Sequence, residues 1–159
     1  GTPLMLQLIA VYFAPYYIFK AKVGPSYRFT AVIIAFVINY SAYFAEIYRG
    51  GIEAVPNGQY EAANVLGYSK SQTFFRIVLP QVIKRILPAV TNEIITLVKD
   101  TSLASVIAVM EMFTTAKLIA SADTTILPLI VAGIYYYVFN LIVAVSMEKI
   151  EKKFSYYKL

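Results

Sequence analysis

An all-α integral membrane fold is what this sequence predicts, and three observations predict it. Of the 159 residues, 59% are hydrophobic and 14% are charged, against about 45–50% apolar and about 25% charged in an ordinary soluble domain. The mean hydropathy is +0.65, so the excess apolar surface needs a solvent other than water. Apolar runs close to the length of a membrane-spanning helix, about 17–25 residues, recur along the chain. Short links rich in Gly, Pro and charge separate them.

The elements follow in order as one transmembrane domain over residues 1–159. Residues 4–19 form a first apolar run, short for a span, with Pro3 placed where a first helical turn tolerates proline. The link KAKVGPSYR carries Gly24-Pro25 as its breaker. Residues 29–47 make a second span, interrupted by Asn39, Tyr40 and Ser41. From Tyr48 to Pro80 the chain is too polar to span and holds Gly50-Gly51 and Pro56-Asn57-Gly58. A third span is expected over 83–108, bent or broken near its middle, with a re-entrant or external segment after it. A fourth covers 126–147, and EKIEKKFSYYKL closes the chain as a charged tail.

Composition excludes several chemistries. The chain has no cysteine and no histidine, so thiol nucleophiles, disulfide frameworks, Cys/His metal sites and histidine triads are unavailable. It has no GxxxxGK[ST] loop and is not itself a P-loop ATPase. The net charge of +5 does not gather in a soluble nucleic-acid motif, and membrane topology accounts for it better. One side would hold Arg49, Lys70, Arg76, Lys84, Arg85, Lys149, Lys152, Lys153 and Lys158; the other would hold Lys20, Lys22, Arg28 and Lys117. The positive-inside rule then puts 48–80 and the C-terminus in the cytoplasm, although the basic 20–28 link pulls the other way.

EAANVLGYSKSQTFFRIVLP, residues 61–80, is amphipathic rather than apolar. Ala62 and Ala63 favour helix and permit close approach. Gly67 suits a left-handed helix end, Ser69 or Ser71 suits the next N-cap, and Pro80 would stop or bend the helix that follows. The physics leaves two readings even: a helix pair lying on lipid headgroups, or a protein-docking element on the cytoplasmic face.

The spacing of Glu61, Ala62, Ala63, Gly67, Ile77, Leu79 and Pro80 matches the EAA motif at every defined position. With GTPLMLQL, FAEIYRGGIEAVPNGQYEAA, LGYSKSQTFFRIVLPQ and LVKDTSLASVI, nearly the whole chain resembles ABC-importer permeases of the polar amino-acid branch, the histidine/arginine/glutamine type. That resemblance implies a type I ABC importer permease (MetI-like) helical bundle in a bacterial-type plasma (inner) membrane. It implies two permease subunits, as homodimer or heterodimer, two cytosolic ATPase subunits that use ATP and Mg, and an external substrate-binding protein. No cofactor is expected in this chain. The coupling helices, about 58–80, would seat the EAA residues in a groove on the ATPase. The family core has five spans and the count here is four, so one N-terminal span is expected to be missing before GTPLMLQL.

Ionisable groups inside a span are functional candidates because burying them is costly unless they are paired or wet. With 81–112 read as one helix at 100° per residue, Glu93, Thr96, Asp100, Ala104, Ile107 and Glu111 share a stripe. Glu93 and Asp100 would lie about 10 Å apart along the axis, with Glu111 about 16 Å beyond. Such a stripe suits cationic or zwitterionic solutes, its carboxylates facing ammonium or guanidinium groups. Lys99 is a possible partner for a substrate carboxylate, and Asn39 lies among the polar residues of the second span. The competing reading is structural: Glu93 bonded to Asn39 or Tyr40, Lys99 paired between subunits, and Glu111 in external water. Glu46 is expected to pair with Arg49 at i+3. Tyr135, Tyr136, Tyr137 and Phe139 beside Gly133 form either a helix seam or lipid-facing bulk. Other small polar solutes, and a secondary transporter with an acidic cation path, are the alternative functions.

Overall fold

In a computed structural model, which describes residues 1–154, the chain is helical throughout and no strand occurs among the described residues. Seven α-helices follow one another: α1 (Leu4–Phe19), α2 (Tyr27–Glu53), α3 (Asn57–Val65), α4 (Lys70–Thr73), α5 (Leu79–Asp100), α6 (Met112–Ala122) and α7 (Leu127–Phe154). A π-helical turn, Phe74–Val78, joins α4 to α5, and a 3₁₀ segment, Thr101–Ile107, follows α5. Lys158 lies outside the described residues.

By length and composition, α2 and α7 are long and apolar enough to cross a bilayer. The 16 residues of α1 extend about 24 Å, against a hydrocarbon core of about 30 Å. The run Lys70–Ile107 together with Met112–Ala122, bent by 60° between them, has the composition of a broken span or a re-entrant loop.

Contacts divide the chain into two compact units. The first comprises Gly1–Ala42 and Thr96–Leu141, the second Tyr43–Ile95 and Ile142–Leu159. In the first unit Leu4, Leu8, Ala31, Ala35, Ala104, Ile107, Ala116 and Ala132 are buried. Ala31, Ala35 and Asn39 recur every fourth residue, so one face of α2 packs inward. Ile33, Ile34, Val37 and Ile38 are exposed on the other. This large exposed apolar face is what a lipid solvent stabilises and water does not. The second unit has a small core of Val55, Val78 and Val82, with Ile86 packed against it.

The helices differ in extent from the spans and helices expected. Helix α2 continues past the 29–47 span, through Gly50-Gly51, to Glu53. Arg49 bridges Glu46 one turn before it and Glu53 one turn after it, and the buried Gly51 packs against α5. Of the stop or bend expected at Pro80, the stop does not occur. Pro80 lacks the N–H that the Arg76 carbonyl would receive, and the wider π turn precedes it, with Leu79 N–H donating to Phe74 O. The single helix expected over 81–112 ends at Asp100. Thr101 Oγ1 donates to Val98 O at 2.7 Å and Ser102 Oγ to Lys99 O at 2.8 Å. Such side-chain bonds compete with the helical ladder, and the chain tightens to 3₁₀ before Ala108 takes a left-handed φ of 57°.

Candidate functional site

The amphipathic stretch at 61–80 folds as its local chemistry dictates. Helix α3 ends in a Schellman motif: Tyr68 N–H donates to Ala63 O at 3.0 Å, and Gly67 N–H to Asn64 O at 3.0 Å. Gly67 supplies the left-handed residue the motif requires, with φ of +75°. A capping box then starts α4. Ser69 Oγ accepts from Gln72 N at 3.3 Å, and Gln72 Oε1 accepts from Ser69 N at 2.9 Å. Among the motif residues Ala63 is buried, Ile77 and Leu79 are half-buried, and Glu61, Ala62, Gly67 and Pro80 are exposed. A cleft of about 540 Å³ between the two helices is lined by Tyr60, Glu61, Asn64, Tyr68, Lys70, Thr73 and Phe74. The outward-facing Glu61, the exposed Val65 and Leu66 and this cleft make a projecting surface of mixed polarity.

Within the first unit, polar side chains collect around Asn39 and Tyr40. Gln7 Nε2 donates to Asn39 Oδ1 at 3.0 Å and also approaches Thr2 O. Gln7 Oε1 is buried with no partner among the described residues. The Tyr40 hydroxyl donates to Asp100 Oδ2 at 2.8 Å. Tyr40 and Asn39 are buried and Asp100 is half-buried. The Tyr40 hydrogen bond satisfies one carboxylate oxygen and orients the group.

Within the first unit, then, Tyr40 serves Asp100 and Asn39 serves Gln7. Glu93, on α5 in the second unit, is half-buried and makes no hydrogen bond among the described residues, while Thr96 and Lys99 are exposed. Glu111 does not continue their stripe, because it begins the next helix. Its Oε2 accepts from Phe113 N at 2.7 Å and its Oε1 from Thr114 N at 2.6 Å, so it is the N-cap of α6. It also lines a cleft of about 260 Å³ with Tyr135, Tyr136 and Phe139. Glu111→Ala is expected to lower stability by about 1 kcal/mol through loss of that cap, read as a lower unfolding temperature of the purified complex with its substrate preference unchanged. Gln7 was open to detection in the sequence, since an amide inside an apolar run is uncommon. The Tyr40–Asp100 contact joins residues 60 positions apart and has no local signal.

Comparison with known proteins decides the family. The model for "Binding-protein-dependent transport system inner membrane component" matches residues 1–156. The chain belongs to that family. It is a permease of the polar amino-acid branch of ABC importers, a membrane transport subunit rather than an enzyme. The permease is 38% identical over 154 residues to the arginine transport system permease protein of Bacillus subtilis, covering 96% of this chain and 69% of that one. It is 40% identical over 150 residues to the octopine transport system permease protein of Rhizobium radiobacter, covering 91% and 61%. Among solved structures, the crystal structure of an amino acid ABC transporter with histidines matches with a TM-score of 0.83 and 36% identity, over 96% of the permease and 70% of that chain. The type I, MetI-like fold expected from the EAA motif agrees with that neighbour.

Proposed function

We propose that this permease imports positively charged amino acids, using ATP and Mg hydrolysed by a separate cytosolic subunit. The observation that carries the cationic substrate is Asp100. It is a half-buried carboxylate oriented by Tyr40, in a unit where Gln7 Oε1 is a second unused acceptor. Acceptors without matching donors suit an ammonium or guanidinium group. Glu93 adds a carboxylate with no hydrogen-bond partner among the described residues, with Thr96 and Asn39 as neutral polar contacts and Lys99 for a substrate carboxylate. The arginine permease among the relatives supports this charge class, and the octopine permease keeps larger solutes in the test.

Residues 58–80 dock the ATPase, with Glu61, Ala62, Ala63, Gly67, Ile77, Leu79 and Pro80 holding the shape of the docked surface. The bound EAA helices face the cytoplasm, as does the C-terminal tail, in keeping with the basic residues around them. A second permease subunit completes the path, and an external binding protein delivers the solute. The transport domain runs through residues 1–159, with spans near 4–19, 29–47, 83–108 and 126–147.

The test is binding to the purified complex of arginine, lysine, glutamine, octopine and glutamate, with and without Glu93→Gln. Arginine and lysine are expected to bind most tightly and to lose about tenfold or more in affinity in the variant, the worth of one hydrogen bond to a charged group. Preference for glutamate, or a panel unaffected by Glu93→Gln, would remove the acidic path.

A further inference from the structure

The second unit contains a joint that lies outside the EAA positions. Gly51, near the end of α2, approaches α5 so closely that a Cβ there would sit 2.3 Å from Ile86 Cγ2 and 3.1 Å from Val82 Cγ1. Both neighbours are β-branched and stiff at χ1, so they cannot swing aside and the two helices would have to separate. Immediately beyond α2, Val55 joins Val78 and Val82 in the core on which Ile86 packs. Two polar ties flank this contact. Arg85 Nη1 donates to the Ala54 carbonyl. Gln81 Nε2 lies 2.9 Å from Ile77 O and 3.4 Å from Gln59 Oε1, linking the start of α5 to the π turn and to α3.

Glu93 stands on the same α5, two turns beyond Ile86, and within the same compact unit. A displacement of α3 therefore reaches this part of α5 through the Val55, Val78 and Val82 packing and the hydrogen bonds Gln81–Gln59 and Arg85–Ala54. Packed contacts of this kind shift as blocks rather than deform continuously.

We propose that Gly51 is a positioning residue: by letting α2 lie directly on α5 it locks the coupling helices and the Glu93-bearing part of α5 into one moving body. This rests on the reading of residues 58–80 as the ATPase dock. The joint delivers the movement of the docked helices to the substrate path, and a side chain at position 51 would let α3 move without α5.

The test uses the full complex in vesicles, with its ATPase and binding protein, and reads arginine accumulated per ATP hydrolysed. Gly51→Leu is expected to lower that ratio by about tenfold, the order of effect of overpacking a tight contact, while the ATPase still co-purifies. A folding defect alone would reduce the amount of complex and both rates together, leaving the ratio unchanged. Gly51→Leu combined with Ile86→Ala, which returns the space, is expected to recover the ratio to within about threefold of wild type, since contacting residues couple. Where Gly51→Leu does not assemble, Gly51→Ala with and without Ile86→Ala makes the same comparison.

Spin labels at Asn64→Cys and Asn92→Cys, in a chain with no cysteine of its own, give a second readout. Their separation is expected to stay constant between nucleotide-free and ATP-bound complex, and to change with nucleotide only once Gly51→Leu is added. A wild-type transport ratio in an assembled Gly51 variant, or a label separation that changes with nucleotide in the otherwise wild-type chain, overturns the proposal. Gly67→Leu separates the two readings: if it lowers the ratio and Gly51→Leu does not, the joint is wrong and the dock stands. If neither lowers it, the dock is wrong as well.

Discussion

Glu93→Gln and Asp100→Asn are each expected to abolish uptake while the permease still assembles with its partners. The two substitutions keep side-chain volume and remove one negative charge. For Asp100 the geometry gives a specific reason. Tyr40 holds Oδ2 at 2.8 Å, and the neutral amide of Asn can still accept that bond through its oxygen. The local packing therefore survives while the attraction for a cation is lost. A hydrogen bond to an ionised group is worth about 1.5–3 kcal/mol, so each variant loses roughly tenfold to a hundredfold in substrate affinity. Glu93 makes no hydrogen bond among the described residues to compensate its half-buried carboxylate. Gln keeps its volume, and assembly is expected to match wild type. Uptake by vesicles, measured beside co-purification of the ATPase, checks both halves of the expectation. Wild-type uptake in both variants would take these carboxylates out of the path.

Replacing Gly67 with Leu is expected to break the link between ATP hydrolysis and transport. The position has open space around it, with no atom within 4 Å of a built Cβ, so the obstacle is conformational rather than steric crowding. At φ of +75°, a residue with a Cβ is strained by roughly 1–2 kcal/mol. The Schellman bonds from Gly67 and Tyr68 fix the direction in which the chain leaves α3 and enters the Ser69 capping box. Leu relieves its strain by giving up those bonds, which turns α4 relative to α3 and reshapes the cleft between them. Loss of about 1.4 kcal/mol at the docked surface corresponds to about a tenfold weaker complex. The measurement is ATPase co-purification together with ATP hydrolysed per arginine imported. If both are unchanged, residues 58–80 are not the docking element.

What was legible in the sequence was local. Gly67 and Ser69 act within five residues of themselves, through a left-handed backbone and a reciprocal cap, so their residue types announce the geometry. The Glu46–Arg49 pair, expected at i+3, forms for the same reason. What was not legible depended on tertiary contact. Gly50-Gly51 stood only as part of a stretch too polar to span, yet α2 continues through it with Gly51 against Ile86 and Val82, and no local rule predicts that partner. Pro80 reads as a stop or a bend, and a π turn ahead of it absorbs the missing N–H within a continuous helical run. The acidic stripe assumed one helix to residue 112. The hydroxyls of Thr101 and Ser102 had the chemistry to end it at Asp100, and Glu111 fell to the role of a cap. In the candidate site, Asp100 stood out by its charge in an apolar run. Its partner Tyr40 did not, because a hydroxyl and a carboxylate on two distant helices carry no shared periodicity.

An ATPase docked on residues 58–80 is proposed to drive cationic amino acids through this chain. The most direct test is accumulation of labelled arginine in vesicles containing the permease, its ATPase and its binding protein, under two driving forces. Accumulation against a gradient is expected when ATP and Mg are supplied to the ATPase side, and none when a proton or sodium gradient is imposed without ATP. Accumulation driven by an ion gradient in the absence of ATP would contradict it and identify a secondary transporter.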